Sequence, residues 1–199
     1  MRKLSTLTCL IIFIQTSIFA QQPIKKIHAI KTDPAFKIDG DLSEAGWKKC
    51  PPFTGLIEFR PNPGKVESDQ NRTEVYSLYD DNNIYIRGYC HEKSADSVTM
   101  ELVGSDKIRS SDFVGVIFDT YNDKINGSGF FVTPYGEQYD AKYSASGNED
   151  DTWNAVWESE AKMQKDGWTF EMRIPYSALR FSNKENQTWG LNIIRRRQK

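Results

Sequence analysis

The sequence predicts an all-β domain, an antiparallel β-sandwich of jelly-roll type carrying one or two short helices. Three observations point there. Apolar and polar residues alternate with period two over several stretches of five to nine residues. Clusters of Asp, Asn, Gly and Pro separate those stretches. No long stretch repeats its apolar residues at helical spacing. Many short strands with polar turns suit a sandwich, with a small barrel as the alternative.

The 199 residues open on Arg2 and Lys3, followed by an apolar run through Leu10, Ile11, Ile12, Phe13 and Ile14 to Phe19 and the small residue Ala20. This is the pattern of an export signal over residues 1–20. Its Thr6, Thr8, Gln15, Thr16 and Ser17 and its short length argue against a membrane span. Residues 21–199 then form one domain. Apolar residues make up 38% of the chain, enough for a core. The formal net charge is −1, or −3 once Arg2 and Lys3 leave with the signal, which excludes a strongly basic nucleic-acid binder.

Residues 24–38 hold two short extended runs around Asp33-Pro34, and Asp39-Gly40 forms a turn. Asp41 is placed to cap a short helix over residues 42–49, with Glu44 completing a capping box. A hairpin follows, residues 74–79 against 84–90 about Asp80-Asp81-Asn82-Asn83. Residues 112–119 give a third strand. Residues 129–133 and 137–143 form a second hairpin about Pro134-Tyr135-Gly136, and strands near 155–163 and 168–174 join at Lys165-Asp166-Gly167. Pro175 stops the second of these, and one helical turn fits Ser177 to Phe181. The last strand covers 188–196 and runs straight into Arg195-Arg196-Arg197-Gln198-Lys199, which reads as a domain truncated at its C-terminal end. Cys50 and Cys90 allow one disulfide, with two buried thiols as the other reading.

No short catalytic motif is present: no G-x-S-x-G, no H-E-x-x-H and no Walker loop. The two histidines, His28 and His91, are too few for a histidine-built zinc site and read as strand residues. Asp119, Asn122 and Asp123 share one turn and offer oxygen ligands suited to Ca2+ in an exported protein. Of the five tryptophans, Trp153 follows the acidic loop Asn148-Glu149-Asp150-Asp151 and is the candidate binding aromatic. Trp47, Trp157, Trp168 and Trp189 sit in periodic segments and read as core. The triplet Arg195–Arg197 could meet a carboxylate, a phosphate or a neighbouring domain, or end as a solvated strand tip.

The order of segments resembles family 9 carbohydrate-binding modules. The resemblance starts at Ile38-Asp39-Gly40-Asp41-Leu42-Ser43-Glu44-Ala45-Gly46-Trp47 and continues in Leu78-Tyr79-Asp80-Asp81-Asn82-Asn83-Ile84-Tyr85-Ile86. It then runs through Ser111-Asp112-Phe113-Val114-Gly115-Val116-Ile117-Phe118-Asp119, Asp166-Gly167-Trp168-Thr169-Phe170-Glu171-Met172-Arg173-Ile174-Pro175 and Trp189-Gly190-Leu191-Asn192, spanning roughly residues 27–194. It is nearest to the N-terminal module of large exported Bacteroidetes proteins whose remaining chain is associated with the outer membrane. It implies a β-sandwich with bound calcium that holds the end of a sugar chain between two tryptophans and cleaves no bond.

The resemblance departs from the family at that clamp. Arg109 stands closest to the first tryptophan position, within Lys107-Ile108-Arg109-Ser110-Ser111, and the second position lies past residue 199. Arg87 aligns with a sugar-contacting arginine. Arg87 and Arg109 could select a uronic acid, because an arginine fork pairs with a planar carboxylate. Three functions therefore stand side by side. One is a non-catalytic glycan-binding module of a larger exported protein linked to polysaccharide breakdown. Another is an extracytoplasmic interaction domain packed on the missing C-terminal part of its own chain. The third is a glycoside hydrolase component, against which the absence of a recognisable paired-acid motif counts.

Overall fold

In the computed structural model the described residues are 25–32, 36–102, 108 and 110–198. The export signal expected over residues 1–20 therefore lies outside the described residues, as do Lys107, Arg109 and the Asp33-Pro34 pair between the two expected extended runs. Among the described residues no helix is long and apolar enough to cross a membrane.

Among the described residues ten strands form two sheets. In chain order they are β1 (Ile30–Lys31), β2 (Thr73–Tyr79), β3 (Asn83–His91), β4 (Phe113–Asp119), β5 (Asn126–Val132), β6 (Gln138–Ser144), β7 (Glu149–Asp150), β8 (Glu158–Gln164), β9 (Gly167–Pro175) and β10 (Gly190–Arg196). One sheet has the order β1-β2-β3-β9-β8 and the other β10-β4-β5-β6-β7. Every pairing is antiparallel except the short parallel contact of β1 with β2. The hairpins read from the sequence are present, with bounds moved by one to three residues. The short β7 and the bridge between Ile57 and Val66 were not read from it.

Alternation explains the layers. The inner face of the first sheet carries Val75, Ile84, Ile86, Cys90, Trp168, Phe170, Met172 and Ile174. They meet Val114, Val116, Phe118, Phe130 and Val132 from the second in one buried core. On the outer face of the first sheet, Leu78 and Tyr85 are covered by Phe36, Trp47 and Cys50 from the N-terminal segment. On the outer face of the second, Phe131, Tyr139 and Ala141 pack beneath Ile108. Cys50 and Cys90 are both buried free thiols in two different clusters, so the disulfide reading is set aside. Burial pushes the Cys90 thiol up to about 12.

The helix expected over residues 42–49 is instead a 3-10 turn at Ala45–Lys49, with Glu44 as its N-cap and no side-chain capping bond. Asp41 closes a local turn, its Oδ1 accepting from the Ser43 N–H at 3.0 Å. The preceding turn is pinned to the sheet, because the N–H groups of Asp39 and Gly40 donate to Glu171 Oε2 at 3.0 and 2.9 Å. The turn expected at Ser177–Phe181 is a 3-10 turn at Tyr176–Ala178. Arg195 and Arg197 both bond the buried Glu92, while Arg196 points to solvent.

Candidate functional site

Strand β6 alternates Tyr139, Ala141 and Tyr143 on one side with Gln138, Asp140 and Lys142 on the other. Register places Asp140 opposite Phe130 and Lys142 opposite Ser128 on β5, so the polar set faces the inter-sheet side near the sandwich rim. The segment after β7 folds back there. Asp140 Oδ2 accepts from the Ala155 N–H at 2.5 Å. This bond sets Trp153 edge-on against Phe130, ring centroids 5.8 Å apart. Burial, opposed by that bond, raises the Asp140 pKa.

Lys142 lies across the other aspect of Trp153, its Nζ 4.0 Å from the ring centroid and donating to Ser128 Oγ at 2.5 Å. Burial lowers the Lys142 pKa, and the nearby Arg180 charge lowers it further. Among the described residues neither Lys142 nor Arg180 has an ion pair with a carboxylate. Around them opens a cleft of about 480 Å³, lined by Lys142, Trp153, Asn154, Val156, Ser177 and Arg180 among others. An aromatic, an amide, a hydroxyl and two unpaired cations therefore converge on open space. That set can hydrogen-bond a polar ring and neutralise an acidic group.

Of the residues singled out in the sequence, Trp153 is at this cleft, and Trp47, Trp157 and Trp168 are buried in the cores. Trp189 is partly buried against Phe118, Tyr176 and Phe181. Arg87 is elsewhere, on the outer face of the first sheet and only 7% exposed. Its Nη1 donates to the Leu42 carbonyl at 2.7 Å, and its guanidinium lies 4.7 Å from the Trp47 ring centroid and 4.9 Å from that of Tyr76. It braces the N-terminal segment, and the structure does not bring it together with Trp153. Arg109 lies outside the described residues.

Asp119, Asn122 and Asp123 do share one turn. Asp119 Oδ1 and Oδ2 accept from the N–H groups of Asp123 (3.2 Å) and Lys124 (2.7 Å), and Asp123 Oδ1 accepts from Ile125 at 2.8 Å. The carboxylates thus shape the turn, and no buried unpartnered oxygen stands there among the described residues. His91 stacks on Tyr89 and bonds Glu74, as a strand residue would.

Sequence reasoning missed Lys142, Asn154, Ser177 and Arg180. The one available signal was a lysine in phase with Asp140 on a strand whose other face is aromatic. Nothing in the sequence says which of those faces meets the first sheet.

The fold and the cleft define a two-sheet β-sandwich with an open polar–aromatic groove at its rim. The chain belongs to the family described as "Carbohydrate family 9 binding domain-like", which matches residues 38–196. Among solved structures it is similar to a family 9 carbohydrate-binding module of Caldicellulosiruptor kristjanssonii in complex with cellotriose. Identity is 16% and the TM-score 0.52, over 83% of this chain and 73% of that one. It is also similar to a family 9 module of the same organism in complex with glucose, at 17% identity and TM-score 0.55, over 85% and 76% of the two chains. Among curated proteins no sequence match was found.

Proposed function

We propose that the chain is a non-catalytic carbohydrate-binding domain of an exported, cell-envelope or secreted protein that serves polysaccharide breakdown, and that the Trp153 cleft is its binding surface. The observation that carries this reading is the convergence of Trp153, Asn154 and Ser177 with the unpaired cations Lys142 and Arg180 around one open groove. Family membership supports the ligand class, as do the cellotriose and glucose bound by the two Caldicellulosiruptor modules. The two cations favour an oligosaccharide bearing a carboxylate, such as a uronic acid at or near a chain end.

A glycan array followed by calorimetry tests this. Binding to acidic oligosaccharides is expected to exceed binding to their neutral counterparts, and to weaken about tenfold or more in Trp153→Ala and in Lys142→Ala. A folded chain that binds no glycan overturns the reading.

A second reading, an interaction domain packed on a further part of its own chain, draws on a different observation. The segment around the Ile57–Val66 bridge presents Ile57, Phe59 and Val66 at 45%, 79% and 54% exposure. Absence of glycan binding together with tight association of such a partner would favour it.

A further inference from the structure

Of the four strands that end a sheet, β1 and β7 are two residues long, and β10 carries Arg195 and Arg196 but no acid. The fourth, β8, is seven residues long, with β9 on one side and no strand on the other among the described residues. Gln164 faces Gly167 across the two-residue loop Lys165-Asp166, so Gln164, Lys162, Glu160 and Glu158 direct their backbone groups to β9. Ser159, Ala161 and Met163 direct theirs to the open side. Glu160 bends over that edge, its Oε1 accepting from the Ala161 N–H at 3.3 Å, a long bond that takes the place of a partner strand. The side chains of Ala161 and Met163 turn to the core, whereas Glu158, Glu160 and Lys162 stand exposed on the outer face. Glu158 is paired with Arg173, but neither Glu160 nor Lys162 makes an ion pair among the described residues.

We propose that β8 pairs antiparallel with β8 of a second copy of this chain, about a twofold axis at Ala161, joining the two five-stranded sheets edge to edge. The order of charges along the strand carries this. With Ala161 opposite Ala161, the outward N–H and C=O groups of Ser159 meet those of Met163. Glu160 then stands opposite Lys162 of the second copy, and the symmetry repeats the pair. Neighbouring registers lack the match. An axis at Glu160 or at Lys162 sets like charges face to face, one at Ser159 opposes Glu158 to Glu160, and one at Met163 leaves Lys162 opposite the neutral Gln164. A lysine on an edge strand ordinarily deters pairing. Here that deterrent is cancelled in one register, so strand addition closes on a pair of copies and does not run on into a fibre. The inference does not rest on the Trp153 cleft or on its ligand.

Sedimentation equilibrium of the full chain, from micromolar to near-millimolar concentration, tests this. The expected result is a reversible monomer–dimer equilibrium that weakens with added salt, and protection of the Ser159, Ala161 and Met163 amides from hydrogen exchange that rises with concentration. Glu160→Lys and Lys162→Glu are each expected to lower the association constant about tenfold or more, since each turns both cross-axis pairs into like-charge contacts. Both positions are exposed, so the variants keep the fold, as circular dichroism checks. Mixed in equal amounts, the two variants are expected to associate again, because each supplies the charge that the other lacks. A chain that stays monomeric over the whole range overturns the proposal. So does self-association that both variants leave unchanged, or a mixture of the two that fails to associate.

Discussion

Lys142 holds a charge in a place that partly resists it. Its ammonium lies on the Trp153 ring, half-buried, with Arg180 as its charged neighbour and no carboxylate paired to it. Its pKa is therefore below the usual 10.5, chiefly through burial. Lys142 then loses its proton at a lower pH than an exposed lysine, whereas Arg180 stays charged. Affinity for an acidic oligosaccharide is expected to fall in the alkaline range as Lys142 deprotonates, and to stay flatter in Lys142→Arg. Titration calorimetry across pH reads both. Tyr76 and Tyr85 are also raised, to about 12, mainly by burial, and stay neutral throughout that range. The same residue shows what the sequence could convey. Alternation identified β6 and its polar side, yet a lysine on a polar side ordinarily faces water. Trp153 was legible because an aromatic after an acidic loop is unusual, but its partner lies on another strand.

Strand β4 shows the cost of a side chain where the sheet has left none. A Cβ on Gly115 would stand 2.0 Å from Phe131 Cδ1, since that ring lies across the glycine on the outer face. Phe131 also packs against Phe113 and Tyr139 and has little room to retreat. Gly115→Ala is expected to destabilise the domain by about 1–3 kcal/mol, seen as a lower midpoint in urea with an unchanged slope. Elements such as β4 were legible because period two and the flanking turns agree over their whole length. The segment at residues 42–49 was misread for a physical reason. Its residues suit a helix, but Gly40 is anchored to Glu171, and Gly46 is pressed so close to Phe36 that a Cβ would meet its ring at 2.5 Å. Tertiary contacts limit the segment to a tight 3-10 turn, as they often override local preference.

At the scale of the molecule the two sheets are clasped by a basic strand end. Arg195 donates to the carbonyls of Asn71, Arg72 and His91, to Thr73 Oγ1 and to Glu92 Oε1, and Arg197 bonds the same Glu92. The side chains of Arg195 and Glu92 are 5% and 0% exposed. Arg195→Ala would strip Glu92 of one of its two cations and is expected to cost about 3–5 kcal/mol, measured by chemical denaturation, whereas Arg196→Ala, at an exposed position, is expected to cost little. The triplet was visible in the sequence, but its partner was not, because Glu92 is brought to it only when the sandwich closes. The same holds for Glu171, one acid in a strand until a turn 131 residues away supplies its partner. Such closure also governs time. Strand β3, at the centre of its sheet, has β9 as its neighbour on one side, and β9 is synthesised only after β4 to β8. Until then the β9-facing edge of β3 has no partner, and the apolar face that carries Ile84 and Ile86 is incompletely covered. Folding must wait on a distant partner, which places this chain among slow, high-contact-order folders that need protection from aggregation before the sandwich is complete.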